Sequence, residues 1–241
     1  MASAGEGLHF LLLGLVITFL LTLRIGKEKN TPILRFACIF SNAAYMGFPL
    51  IEALFSAEGL IYASVYVTVF NILLWTVGFG MITGTVEPKE VVRTVCTNPV
   101  LIAVVIGLVI YLCQIPVPEV IEQPLALIGN MNTPLSMIIT GMMIAGSNLA
   151  QMLCDRRILS VMGIRMLLIP AVCFALFFAC GFSGMAAGVV LLLEACPSAA
   201  ITSVFAVQYS YDEEFAAGSV VITTLLSIVI LPVCAMLLPG M

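Results

Sequence analysis

The stretch I-F-S-N-A-A-Y-M-G-F-P-L-I-E-A-L, Ile39 to Leu54, lies inside an apolar run long enough to cross a bilayer. It nevertheless carries Asn42, Gly47, Pro49 and Glu52. Each of these weakens a hydrophobic helix. Proline removes a backbone donor and disrupts the turn before it, and glycine costs chain entropy. Lipid offers no partner to an opened backbone, so this stretch needs protein or water around it.

The rest of the chain sets the context. Of 241 residues, 62% are hydrophobic and only 9% are charged, with a mean hydropathy of +1.19. Soluble domains carry about a quarter charged residues. Too few polar groups exist to solvate a globule of this size, which excludes a soluble protein and leaves an all-α polytopic membrane protein. The eight cysteines are scattered and form no C-x-x-C pair, so they read as small apolar packing residues. With His9 as the single histidine, a zinc cage is not expected. No metal and no cofactor is predicted. A G-x-x-x-x-G-K-[ST] loop is absent, so nucleotide-driven transport is not expected.

A spanning helix needs ~20 mostly apolar residues. Eight spans are predicted, at 8–23, 31–54, 60–83, 98–115, 124–150, 159–181, 185–209 and 215–238. The basic residues check this map. Arg24, Lys27, Lys29 and Arg35 flank the first connection, Lys89 and Arg93 lie in the third, and Arg156 and Arg157 in the fifth. The second, fourth and sixth connections carry none. Positive charge on alternate loops is what cytoplasmic retention of Lys and Arg produces, so both termini are expected outside. The first span lacks a basic flank before it and is read as a span rather than a signal peptide. Arg165 lies eight residues beyond Arg157, ~12 Å along a helix. It is expected to snorkel to the cytoplasmic interface rather than bind an anion directly.

The seventh span repeats the feature of the second. L-L-L-E-A-C-P-S-A-A at 191–200 has Pro197 at its middle and Glu194 three residues before it. The two spans run in opposite directions. Proline suits the first position of a helix. If Pro49 and Pro197 each start a half-helix, two helix N-termini point at the centre from opposite sides. Each carries roughly half a positive charge. Together they form an anion site of the kind secondary transporters build from discontinuous helices. A weak echo, A-S-V-Y-V-T at 63–68 and G-S-V-V-I-T at 218–223, is compatible with a repeat.

Three segments resemble the auxin efflux carrier family, which includes bacterial carriers for malonate and similar acids. They are F-S-N-A-A-Y-M-G-F-P-L at 40–50, N-T-P-L-S-M-I-I-T-G-M-M-I-A-G at 132–146 and E-A-C-P-S-A-A-I-T-S-V-F-A-V-Q-Y at 194–209, the last leading to T-T-L-L-S-I-V-I-L-P at 223–232. The resemblance implies two inverted five-helix repeats whose broken helices cross at the centre. It also implies organic-anion transport across the cytoplasmic membrane by an elevator-like motion. Against ten helices, the eight predicted here correspond to an incomplete first repeat of three helices at 1–97 and a second of five at 98–241. Ala44 and Tyr45 depart from the family's usual residues, which bears on the substrate.

The candidate substrate-binding residues are Asn42, Tyr45, Gly47, Pro49, Asn132, Pro134, Pro197 and Ser198. Asn42 either contacts a carboxylate or satisfies the opened backbone, and the resemblance favours the first. Ser198 either offers its hydroxyl and amide to an anion or caps a helix. Asn132 and Pro134 either mark an ordinary entry turn or flank the substrate. Glu52 falls in the first turn after Pro49, where an acid complements the dipole. Glu194 ends a half-helix, where a negative charge is disfavoured. It is expected to be protonated or paired with a cation, and is a candidate for proton or sodium coupling, with Glu52 as the second candidate. The leading function is a carrier, not an enzyme, with a small organic anion, the lipid bilayer and a second copy of the chain as partners and no nucleic acid. The alternatives are an intramembrane enzyme using Glu52 and Glu194, and a truncated remnant that does not transport.

Overall fold

The computed structural model describes residues 29–84, 99–181 and 183–238, together with Val16, Leu20, Arg93, Cys96 and Thr97. The predicted first span, apart from Val16 and Leu20, lies outside the described residues. Those described are helical, with one isolated β-bridge and no strand. Helix α1 spans Thr31–Ile39 and begins with Pro32 in its first turn. A π turn at Ala43–Gly47 leads into α2, Phe48–Leu73; a second π turn, Leu74–Gly78, leads into α3, Phe79–Thr83. Then follow α4 (Pro99–Leu112), α5 (Glu119–Asn130), α6 (Asn132–Ala145), α7 (Leu149–Cys154) and α8 (Arg156–Met162). A third π turn, Gly163–Leu168, joins α8 to α9 (Ile169–Ala179), followed by α10 (Met185–Ala195), α11 (Ile201–Gln208) and α12 (Glu213–Met236).

Three helical stretches among the described residues are long and apolar enough to cross a membrane: Ala43–Thr83, Arg156–Ala179 and Glu213–Met236. The sequence-based map holds at one connection and changes at another. Spans 31–54 and 60–83 are separated where expected: two helices meet at a kink at Ser56, whose φ of 58° and ψ of −160° lie outside the helical region. Ala57 and Glu58 favour helix and resume it directly after the kink, so the connection is shorter than a loop. The span expected at 124–150 is instead two helices, α5 and α6, meeting at Met131. Extended Pro118 starts α5 five residues early, and Glu119 and Glu122 occupy its first turn, where the dipole favours acids.

Helix α10 is the centre of the protein. Every residue from Ala186 to Ala195 is buried, and α10 packs against α2, α9 and α12. Helix α1 packs against α3, α8, α11 and α12. Aromatic rings fill the space between α1, α11 and the α2–α3 arm. Phe205 meets Phe36, Trp75 and Tyr209 edge-on at centroid distances of 5.3, 5.8 and 6.0 Å, the arrangement ring quadrupoles prefer. Gly78 makes room for this cluster, since a Cβ there would lie 2.7 Å from Phe40 and 2.9 Å from Phe36 ring carbons. Gly218 similarly brings α12 against Ile158 and Met152, the close approach that small residues allow between membrane helices.

One end of the bundle is tied by polar groups. Asp155 caps α8 by accepting from the Arg157 amide at 2.8 Å. The Arg157 guanidinium pairs with Asp155 at 2.7 Å and with Asp212 at 2.9 Å. Asp212 caps α12 through the Phe215 amide, and its own amide donates to Asn30 Oδ1 at 3.3 Å. The starts of α1, α8 and α12 are thereby joined.

Two expectations follow. Gly78→Val should destabilise the protein by about 1–3 kcal/mol through overpacking, whereas Gly107→Ala, with open space around it, should leave the melting temperature in detergent unchanged or raised. Asp155→Asn keeps a capping oxygen but loses the ion pair with Arg157, and should cost up to about 1 kcal/mol at neutral pH. Hydrogen bonding from Arg157 holds the Asp155 carboxyl below its usual range, so its stabilising effect is present above about pH 4 and fades as pH falls through the lowered value. The gap between wild type and Asp155→Asn should therefore narrow in melts run at progressively lower pH.

Candidate functional site

Two helices stop inside the buried core and their ends pair. After α1, Phe40 turns extended at φ −95° and ψ 118°. After α10, Cys196 does the same at φ −61° and ψ 149°, the backbone region that a following proline imposes. Ser41 and Ser198 then form an antiparallel bridge. The Asn42 amide donates to Pro197 O at 2.7 Å, and the Ala199 amide donates to Phe40 O at 2.9 Å. Each opened segment thus satisfies the other. Side chains complete the work: the Ser198 amide donates to Thr223 Oγ1 at 3.1 Å, and the Ser198 hydroxyl to Ala37 O at 2.8 Å. Ser198, 0% exposed, holds the crossing together and does not cap α11.

The break near Pro197 lies where the sequence places it. The other does not: it falls at residues 40–42, seven or more positions before Pro49. Pro49 sits in the first turn of α2, directly after the π turn Ala43–Gly47. A wider turn tolerates a residue that lacks an amide and crowds the preceding carbonyls. The same device recurs at Gly163–Leu168, immediately before Ile169 and Pro170. Pro49 is thus absorbed into a continuing helix. Glu52 moves with this correction. It lies ten residues beyond Asn42, ~15 Å along the helix, is exposed, and falls outside the first turn of α2, so it does not complement a helix start.

Arg165 overturns a second expectation. It does not reach for an interface; it is the largest fully buried side chain among the described residues, at 0% exposure. Its third of the α8–α9 stretch is the π turn beside α1 and α12. Nε donates to Cys196 O at 3.0 Å, Nη2 to Glu194 O at 2.7 Å, and Nη1 to Cys38 O and Ile39 O at 3.2 and 3.4 Å. These are the final carbonyls of the two helices that stop. A helix leaves such carbonyls unpaired and partly negative at its C-terminus. One guanidinium therefore caps both.

Glu194 lies beside it. Its Oε2 is 3.7 Å from Arg165 Nη1, and its Oε1 accepts the Tyr66 hydroxyl at 2.9 Å. Glu52 and Glu194 are not neighbours in character: one is exposed, the other 1% exposed with Tyr66 and Arg165 for partners. Among the described residues no cluster of His, Cys, Asp and Glu is arranged to hold a metal.

The remaining candidates divide. Asn42 is buried beside the bridge, and its side chain does not cap the turn it precedes. Asn132, at the start of α6, donates from Nδ2 to Ala44 O at 3.3 Å, which brings α6 to the first break. A Cβ on Gly47 would run into Leu193 and approach Cys196 Sγ, so glycine permits the contact with α10. Tyr45 (43% exposed) and Pro134 lie at the surface. The sequence reading missed Tyr66, Ser41, Thr202 and Thr223. The hydroxyls of Thr202 and Ser203 are buried without a hydrogen-bond partner. Arg165 carried a readable signal, since an arginine deep in an apolar span is costly unless it is paired inside the bundle.

The sequence matches the family described as membrane transport protein over residues 7–94 and 86–235. It is 25% identical over 225 residues to an uncharacterized transporter of Methanothermobacter thermautotrophicus, covering 92% of this chain and 73% of that protein. It is 24% identical over 223 residues to an uncharacterized transporter of Methanocaldococcus jannaschii, covering 90% and 72%. Both breaks and Arg165 fall within the matched residues, and the chain belongs to the membrane transport protein family, the auxin efflux carrier-like transporters.

Proposed function

We propose that the chain is a secondary transporter that moves a small organic anion, a mono- or dicarboxylate such as malonate, across the cytoplasmic membrane. The anion binds where the broken helices cross. The observation that carries this reading is the sharing of charge at the crossing. Arg165 takes the negative ends of α1 and α10, while the helical segments starting at Ala43 and Ile201 begin on the far side of the bridged residues. Each such start carries roughly half a positive charge. Near them are the Asn42 side-chain carboxamide, which makes no cap, and the unpartnered hydroxyls of Thr202 and Ser203. A carboxylate accepts from groups of this kind.

The same reading takes the chain as eight spans, three in an incomplete repeat at 1–97 and five in a second repeat at 98–241, with both termini outside. The antiparallel bridge supports it, because each break gives one amide to the other, as elements related by an inverted two-fold would. An acid–base enzyme is less well supported, since its two carboxyls would have to share one cavity.

The test is a screen of malonate, malate, lactate and indole-acetate, by thermal shift on purified protein and by uptake into proteoliposomes. At least one acid should stabilise the wild type and be taken up. Asn42→Ala should weaken its binding about ten- to a hundredfold, the loss of one hydrogen bond to a charged group, with little change in the ligand-free melting temperature. Full affinity in Asn42→Ala would remove the site from the crossing.

A further inference from the structure

We propose that Arg165 is a tethered coupling cation: its guanidinium fills the oxygen cage that a free monovalent cation would otherwise occupy, so the carrier works without sodium. The functional meaning rests on the carrier reading above; the cage itself does not.

Five oxygens surround the guanidinium. Four are the main-chain carbonyls of Cys38, Ile39, Glu194 and Cys196, at 2.7–3.4 Å from its nitrogens. The fifth is Glu194 Oε2 at 3.7 Å. Hard cations choose oxygen ligands of this mixed carbonyl and carboxylate kind. Carriers with discontinuous helices use unwound carbonyls and half-helix C-termini to hold a coupling ion. Here the same donor types converge, but a side chain already supplies the charge. It comes from the π turn Gly163–Leu168, a segment separate from both broken helices. Tyr66 engages the other carboxylate oxygen at 2.9 Å, so Glu194 is held as the counter-ion. A free cation has no place among these oxygens while Arg165 is present. Of the two couplings considered for Glu194, this leaves no room for sodium.

A plain structural cap would be lost with the side chain. A cage would accept a replacement ion. The experiment compares melting temperatures of wild type, Arg165→Lys and Arg165→Ala in lithium, sodium, potassium and guanidinium chlorides, against choline chloride at equal low ionic strength. Wild type and Arg165→Lys should be indifferent to the cation. Arg165→Ala should melt lower in choline, and should regain roughly 3–6 °C when one of the small cations is in tenfold excess over its Kd. Folded Arg165→Ala that responds to none of the cations would overturn the proposal. So would wild type stabilised by sodium over choline. If Arg165→Ala yields no folded protein in any salt, the wild-type comparison decides alone: indifference to cation, in stability and in uptake, supports the proposal, and sodium dependence overturns it. No organic acid enters the cation series, so its failure is distinct from failure of the acid screen.

Discussion

A main chain that leaves the helix inside a membrane protein must find a partner for every amide and carbonyl it exposes, because hydrocarbon supplies none. Arg165 is how this protein meets that constraint. Two helices end within reach of one guanidinium, which accepts no bonds and offers five donors in a fixed fork. With the carbonyls of Cys38, Ile39, Glu194 and Cys196 taken by it, the segments beyond are free to turn extended and pair as Ser41 with Ser198. The carbonyl ends and the bridge are complementary halves of one solution. The arginine serves the acceptors, and the bridge serves two amides.

A buried charge of this kind is retained at a cost. Desolvating Arg165 and Glu194 takes several kcal/mol per ion, which mutual attraction alone seldom offsets. At 3.7 Å the pair is looser than a hydrogen-bonded one. The larger return comes from the neutral carbonyls, whose dipoles add along α1 and α10. This distinguishes Arg165 from Arg157 at the end of the bundle. Arg157 is 39% exposed and meets two carboxylates in partial contact with water, a setting in which such pairs contribute little. The two arginines are eight residues apart in sequence and answer to different physics.

Much of the helical map was legible. The expected spans at 98–115, 159–181, 185–209 and 215–238 correspond closely to α4, to α8 through α9, to α10 with α11, and to α12. Long apolar runs and the loss of helix before Pro197 are properties of local sequence, and local rules read them. Three features escaped. Proline was read as the place where helix stops, but the π turns before Pro49 and Pro170 absorb it. Arg165 was assigned to the interface by its distance from Arg157, a one-dimensional measure that ignores what the other helices bring. Tyr66, 128 residues from Glu194, is joined to it only by tertiary packing, so no spacing in the chain could have paired them. Asn42, Pro197, Ser198 and Glu194 stood out because each is a polar or breaking residue in an apolar run, an anomaly visible without a fold, and all four lie at or beside the crossing.

The two breaks differ in what holds them open, and this explains why one was easier to find. At 196–198 the chain reads C-P-S, and proline forbids the helical geometry of the residue before it. At 40–42 it reads F-S-N, in which nothing forbids a helix. Ser41 and Asn42 weaken a helix there without stopping it from continuing from Ile39 into Ala43. The helix nevertheless stops, because Pro197 O needs a donor and takes the Asn42 amide, because Phe40 O is engaged by Ala199, and because Arg165 holds Cys38 and Ile39 carbonyls away from the turn that would follow. The second break is intrinsic and the first is imposed. The geometry of the crossing therefore originates in Pro197 and is transmitted by two amides and a guanidinium to a segment that has no breaker of its own.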